Sequence, residues 1–265
     1  MVDYAITASH IWKKYRIYSS ESDRLKGFLF PWHKGTDAIA LEDISFAFEK
    51  GEIVGFVGLN GSGKSTLSQI IAGISRQSAG DLSISGKVSM LSAGVGLNPN
   101  LTGRQNIYYK CLLLGFDHRQ IKEMEQLIID FADIGFYIDQ PLRTYSSGMR
   151  SRVGFAVSVH INPDILVVDE ALAVGDSSFM EKCMERMQHF RESGKTIIFV
   201  SHSTSQMEGF CSRVMWLHKG KCLGVEPTGQ MLKPYNAFTR EWNKMSQEQR
   251  AAFVPDLKQY QTMTL

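Results

Sequence analysis

One stretch constrains this chain more than any other: Gly58-Leu59-Asn60-Gly61-Ser62-Gly63-Lys64-Ser65-Thr66. It follows an apolar, strand-like run, Ile53-Val54-Gly55-Phe56-Val57, and opens a helix-like run, Leu67-Ser68-Gln69-Ile70-Ile71. The pattern G-x-x-x-x-G-K-[ST] between a strand and a helix is that of a phosphate-binding loop. Its glycines let successive backbone N–H groups turn inward as an anion nest, and the helix N-terminus adds free donors and partial positive charge. On this reading Lys64 reaches the β- and γ-phosphates of a nucleoside triphosphate, Ser65 places its hydroxyl on Mg²⁺, and Thr66 supports the helix start. The bland alternative, a Gly-rich turn that happens to precede a lysine, leaves both flanks unexplained.

The chain has 265 residues, enough for one α/β domain with an insertion or for two small domains. A formal charge of +2 with 21% charged residues gives no argument for a nucleic-acid partner. Cys111, Cys183, Cys211 and Cys222 lie far apart with no C-x-x-C pair, which reads as reduced packing thiols. No apolar run approaches the roughly 18–20 residues of a membrane span, and Met1-Val2-Asp3-Tyr4 opens no signal-peptide pattern. The expectation is a soluble chain whose membrane connection runs through a partner or a surface helix.

Along the chain, Ile6–Tyr18, Ile39–Phe48 and Glu52–Val57 read as strands, the last two joined by a Lys50-Gly51 turn. The loop's helix runs to about Gly73, and Ser83–Leu91 reads as a strand pair around Gly86. From Leu101 to about His160 apolar residues fall at helical spacings, predicting a helical subdomain inserted between strands. Ile165–Asp169 is a buried parallel strand, Phe179–Arg191 a helix, Thr196–Val200 another strand, and Arg213–Val225 a hairpin around Lys219-Gly220. A polar helical tail comes last, with Ser246 and Gln249 at capping-box spacing. Between the first two strands, residues 19–37 carry Leu25, Phe28, Leu29 and Trp32 among Arg24, Lys26, His33 and Lys34. This amphipathic segment suits a bilayer surface or a groove on a membrane protein, and equally a helix packed on its own domain. The fold class is α/β: a phosphate-loop NTPase core with a parallel sheet, an antiparallel β subdomain on the N-terminal side and an inserted helical subdomain.

Asp169 ends its strand where a carboxylate can hold Mg²⁺ through water. Glu170 points elsewhere, because strand side chains alternate, and is the candidate to orient or deprotonate an attacking water. His202 follows the strand Thr196–Val200 and is placed to sense a γ-phosphate. Tyr145-Ser146-Ser147-Gly148-Met149-Arg150 precedes a helical run, so Ser146, Ser147 and Gly148 form either a second anion site or an ordinary serine N-cap.

This order of phosphate loop, helical insertion, Ser-Ser-Gly-Met, strand-Asp-Glu and strand-His resembles the nucleotide-binding subunit of ATP-binding cassette transporters over residues 4–226. The resemblance implies ATP and Mg²⁺ as ligands. It matches Tyr145–Met149 to the signature motif, usually Leu-Ser-Gly-Gly-Gln, retaining Ser146 and Gly148. It matches Tyr15 to the adenine-stacking aromatic and Ala173-Val174-Gly175-Asp176 to the inter-subunit loop, with Asp176 at the nucleotide site. It implies two copies head to tail, Ser146, Ser147 and Gly148 of one closing over ATP held by Gly58, Leu59, Asn60, Gly61, Ser62, Gly63, Lys64, Ser65 and Thr66 of the other. One departure stands out: the family's glutamine after the strand ending near Leu91 is missing, Ser92 is a weak substitute, and Gln105 belongs to the next helix.

The pairing of Tyr-Ser-Ser-Gly-Met-Arg with Asp-Glu-Ala-Leu-Ala-Val-Gly-Asp resembles the subgroup that exports surface polysaccharides and teichoic acids. That resemblance implies a nucleotide-binding domain over 1–235, with the helical subdomain at 101–160 and the inserted segment at 19–37, and a short helical tail over 236–265. The implied partners are a polytopic membrane permease and a second ATPase copy, at the cytoplasmic face of the membrane, with the permease handling a lipid-linked polymer. Rival classes are a cassette ATPase acting on ribosomes or nucleic acid, and a non-hydrolysing scaffold. One phosphate loop, no sustained heptads and a charge near zero weigh against the first. Glu170 and His202 weigh against the second.

Overall fold

The computed structural model describes residues 2–18, 20, 21, 23, 35–91, 96–169, 177–201 and 203–263. In chain order the elements are β1 (Tyr4–Ile17), β2 (Thr36–Glu49), β3 (Ile53–Val57), α1 (Lys64–Ile71), β4 (Ala79–Ile84) and β5 (Val88–Leu91). They continue with α2 (Gly103–Leu113), α3 (His118–Ala132), two short 3-10 turns (Gly135–Asp139 and Leu142–Thr144), α4 (Ser147–His160), β6 (Ile165–Asp169), α5 (Ser177–Glu192) and β7 (Thr196–Val200). The chain then forms α6 (Thr204–Phe210), β8 (Arg213–His218), β9 (Lys221–Pro227), α7 (Thr228–Lys244), α8 (Gln247–Ala252) and α9 (Leu257–Met263). These elements divide between two compact units, the first made of residues 1–49, 54–85 and 201–265, the second of 50–53 and 86–200.

In the first unit β1 lies between β2 and β4, antiparallel to both. β3, buried at all five positions, pairs in parallel with β8, and β8 turns back antiparallel into β9. A strand with no solvent face has no reason to alternate, and Ile53–Val57 reads as a continuous apolar run for that reason. The C-terminal helices cover β8 through aromatic contacts. Trp216 meets Phe238 at 5.0 Å and Tyr260 at 6.1 Å between ring centroids, and His218 meets Trp242 at 5.5 Å. Fully burying a residue such as Phe238 contributes about 1.5–3 kcal/mol, so this end of the chain is part of a core. The expected polar tail is corrected accordingly: Met231, Leu232, Tyr235 and Phe238 are the buried face of α7. That helix also runs unbroken through 235–236, the expected boundary between domain and tail.

In the second unit β5, β6 and β7 form a parallel set with β6 in the middle. The helical stretch between β5 and β6 has its own core of Ile107, Ile121, Ile128, Ile138, Val153 and Val157, among others. Thr102 and Asp117 cap α2 and α3 with capping boxes, and Ser146 caps α4. The strand pair expected around Gly86 is corrected. β4 pairs with β1, β5 pairs with β6, and the chain passes from one unit to the other between Ser85 and Gly86. A Gly between two short apolar runs carries the same local signature for a hairpin and for a crossover, and only long-range pairing decides between them. Among the described residues no helix is long and apolar enough to cross a membrane. The amphipathic stretch with Leu25, Phe28, Leu29 and Trp32 lies outside the described residues.

Candidate nucleotide site

The phosphate loop is built where β3 ends. Gly58 has φ 153°, and a Cβ there would collide with the Leu217 carbonyl and the Ser62 hydroxyl. Gly63, at φ 105° and ψ 0°, is the N-cap of α1, and a Cβ on it would lie 2.6 Å from Leu41. Both positions need left-handed backbone that side chains rarely adopt, and both lack the room for one. No side chain caps α1, in contrast to α2, α3, α4, α6 and α8. A helix start without a capping side chain is the arrangement in which an anion is received.

Lys64 is 5% exposed, and its Nζ donates to the carbonyls of Gly58 at 2.7 Å and Leu59 at 3.2 Å. The ammonium thus bridges the loop from helix start to strand end. Ser62 Oγ is buried inside the loop with no hydrogen-bond partner among the described residues. Asn60, Gly61 and Ser65 are exposed. Glycine cradle, enclosed ammonium, uncapped helix start and an orphaned hydroxyl together fit a polyphosphate. The exposed Ser65 hydroxyl is a hard oxygen donor, the kind that suits Mg²⁺, and the Asp169 carboxylate is of the same kind.

Tyr15, in the same unit, lies on β1 opposite Ala38 and is 40% exposed, with Lys13 Nζ 4.8 Å from its ring centroid. Asp169 ends β6 in register with Val200, partly buried after four fully enclosed residues. Glu170, Asp176 and His202 lie outside the described residues, as does Ser92. Gln105 is described: its side-chain oxygen accepts from the Thr102 N–H at 2.9 Å, so it is committed to the cap of α2.

Ser146 and Ser147 stand exposed at the start of α4, and a Cβ added to Gly148 would meet nothing closer than Ser146 Oγ at 3.8 Å. Ser146 Oγ accepts from the Met149 N–H at 3.2 Å. The N-cap is therefore real, and among the described residues nothing crowds Gly148 beside it. The residue before it explains its own departure from the family pattern. Tyr145 is 4% exposed, donates its hydroxyl proton to the Tyr137 carbonyl at 2.5 Å and packs that hydroxyl against Gly103. Burial pushes its hydroxyl up to about 12, so it stays a neutral donor. A Cβ on Gly103 would collide with that hydroxyl. Tyr145 thus pins the loop ahead of α4 to α2 and to the first 3-10 turn.

Sequence reasoning misses this pin, and it misses two further contributors to the phosphate loop. Gly220 N–H donates to the Ser62 carbonyl at 3.0 Å, and Tyr235 lines a cavity of about 460 Å³ with Gly58, Leu59, Asn60, Trp242 and Asn243. Neither has a local signal: Lys219-Gly220 reads only as a turn, and Tyr235 only as one apolar residue of a helix. Of the four thiols, burial pushes Cys111 and Cys222 up to about 11 and Cys183 to about 12. These three stay protonated packing groups.

Comparison with known proteins bears on the same residues. The model of the family described as "ABC transporter" matches residues 41–173. The teichoic acids export ATP-binding protein TagH of Bacillus anthracis is 48% identical over 249 residues, which cover 94% of this chain and 45% of that protein. The protein of the same name from Staphylococcus saprophyticus is 41% identical over 256 residues, covering 97% of each. The chain therefore spans about half the length of the Bacillus relative and nearly all of the staphylococcal one. A dimeric ATP-binding cassette solved in a post-hydrolysis state with ADP and Pi superimposes with a TM-score of 0.69 at 20% identity, over 84% of this chain and 98% of that one. At that identity the likeness is one of fold.

Proposed function

Because this chain belongs to the ABC transporter family, and within it to the teichoic acids export ATP-binding proteins, we propose that it is the ATP-hydrolysing subunit of an exporter of lipid-linked teichoic acid or a related surface polysaccharide. The observation that carries the reading is the loop Gly58–Thr66, with its left-handed glycines, enclosed Lys64 and uncapped helix start. Lys64 and the loop N–H groups bind the phosphates of ATP. Ser65 and Asp169 would hold Mg²⁺, which would supply charge neutralisation to the bound phosphates. Glu170 orients the attacking water, His202 hydrogen-bonds the γ-phosphate, and Tyr15 stacks on the adenine. Ser146, Ser147 and Gly148 of a second copy complete the site, with Asp176 in the loop between copies. ATP contributes these second-copy contacts only when the pair is closed, so it favours closure by its differential affinity, and hydrolysis removes the bridge.

The working assembly is a pair of these chains with a polytopic permease that carries the polymer, at the cytoplasmic face of the membrane. The reading is tested by purifying the tagged chain from detergent-solubilised membranes of its source cells. A polytopic membrane protein without an ATPase of its own is expected to co-purify. Recovery of ribosomes or nucleic acid in its place would sink the proposal.

A further inference from the structure

The turn between β8 and β9 links the phosphate loop to the C-terminal segment. Its two residues, Lys219 at φ 47° and Gly220 at φ 83°, are both left-handed, as two-residue hairpin turns that follow strand twist require. Gly220 is engaged at both ends of its backbone: its N–H donates to the Ser62 carbonyl at 3.0 Å, and its carbonyl accepts from the Glu42 N–H at 2.8 Å. A peptide is planar and trans, so a Ser62 carbonyl aimed at the turn aims the N–H of the same peptide, that of Gly63, the opposite way. The turn thereby fixes the direction of one of the N–H groups with which such a loop receives phosphate.

The Lys219 side chain leaves the turn towards the C-terminal segment. Its Nζ donates to the carbonyls of Arg250 at 3.0 Å, Ala251 at 2.7 Å and Phe253 at 3.1 Å. These carbonyls belong to the last turn of α8 and its cap, where backbone acceptors lack intrahelical partners and a cation is favoured. α7 approaches the other end of the loop, with Tyr235, Trp242 and Asn243 bordering the cavity at Gly58–Asn60.

We propose that Lys219 is a positioning residue for nucleotide binding: it ties residues 250–253 to the Lys219-Gly220 turn, and the turn holds the Ser62–Gly63 peptide in its phosphate-receiving orientation. The inference rests on the phosphate-binding reading of the loop. It gives the C-terminal segment a share in ATP affinity although none of its residues belongs to the loop.

Lys219→Asn separates the clamp from the turn. Asn-Gly is a preferred pair for this turn geometry, so the hairpin is retained, while the shorter side chain cannot reach the α8 carbonyls. In full-length protein, the affinity for a non-hydrolysable ATP analogue with Mg²⁺, measured by calorimetry, is expected to fall roughly fivefold to tenfold, the scale of one lost hydrogen bond. Amides of 247–253 exchange faster, the thermal midpoint moves little, and Lys219→Arg keeps most of the affinity. Wild-type affinity in Lys219→Asn overturns the inference, and so does unchanged exchange at 247–253. If the unaltered chain binds no nucleotide, the reading of the loop fails and takes this inference with it. If the unaltered chain binds and Lys219→Asn binds equally well, only this inference falls.

Discussion

Lys64→Ala is expected to lower ATP hydrolysis at least about a hundredfold, the scale of removing one preorganised charge-stabilising donor. Lys64 is 5% exposed, and its ammonium sits between two loop carbonyls at 2.7 and 3.2 Å. A charge is held in so enclosed a place only where something offsets its desolvation. The two loop carbonyls contribute to that offset, and a polyphosphate brings the full opposite charge that a carbonyl lacks. Alanine is a good helix residue at the first position of α1, so the loss is one of charge and not of local structure. Lys64→Arg is expected to fail as well, because a planar guanidinium does not fit a slot shaped for a compact ammonium. Phosphate release at saturating MgATP measures the effect, with far-UV circular dichroism confirming the fold. Hydrolysis by Lys64→Ala within threefold of the unaltered chain would contradict the role.

The second large effect is expected at Ser146, where two roles predict opposite outcomes. As an N-cap, its Oγ accepts from the Met149 N–H at 3.2 Å. Aspartate caps as well as serine does, and its charge at a helix N-terminus adds about 0.3–1 kcal/mol. A purely capping role therefore predicts that Ser146→Asp is neutral or stabilising and leaves activity untouched. The proposed role places this hydroxyl against the γ-phosphate held by the partner copy, where a carboxylate meets a like charge. Such a juxtaposition costs several kcal/mol, so hydrolysis should fall about a hundredfold while the thermal midpoint holds or rises. Ser146→Asn keeps the cap without the charge and is expected to retain far more activity. Ser146→Ala gives up the cap, a loss of about 1 kcal/mol. Melting curves and steady-state ATPase rates of the three variants separate the roles.

How much of this is legible in the sequence depends on the range of the interactions. The phosphate loop is readable because its chemistry lies within nine consecutive residues and both its flanks are periodic. The capping box at Ser246 and Gln249 is readable for the same reason, and the structure has it. The antiparallel turn at Lys219-Gly220 is visible too, but its hold on Ser62 is not, since 157 positions separate Ser62 from Lys219 and nothing local marks the contact. By sequence Tyr145 is a lost signature leucine, whereas in the fold it is a buried side chain bonded to the Tyr137 carbonyl and packed on Gly103. The C-terminal helices read as polar because their apolar positions are spread over one face of α7, the face that covers Trp216. In each case a residue type is visible and its long-range partner is not.

The central claim is that the loop Gly58–Thr66 is half of a site completed by a second copy. Glu170→Gln keeps the size of the side chain and removes the carboxylate assigned to the attacking water, so ATP should bind and persist. The direct measurement is the sedimentation of this variant with MgATP, with MgADP and with neither. The account predicts a dimer with MgATP alone, and its loss when Ser146→Asp is added to the same chain. A monomer under all three conditions, in a chain shown to bind MgATP, would contradict it.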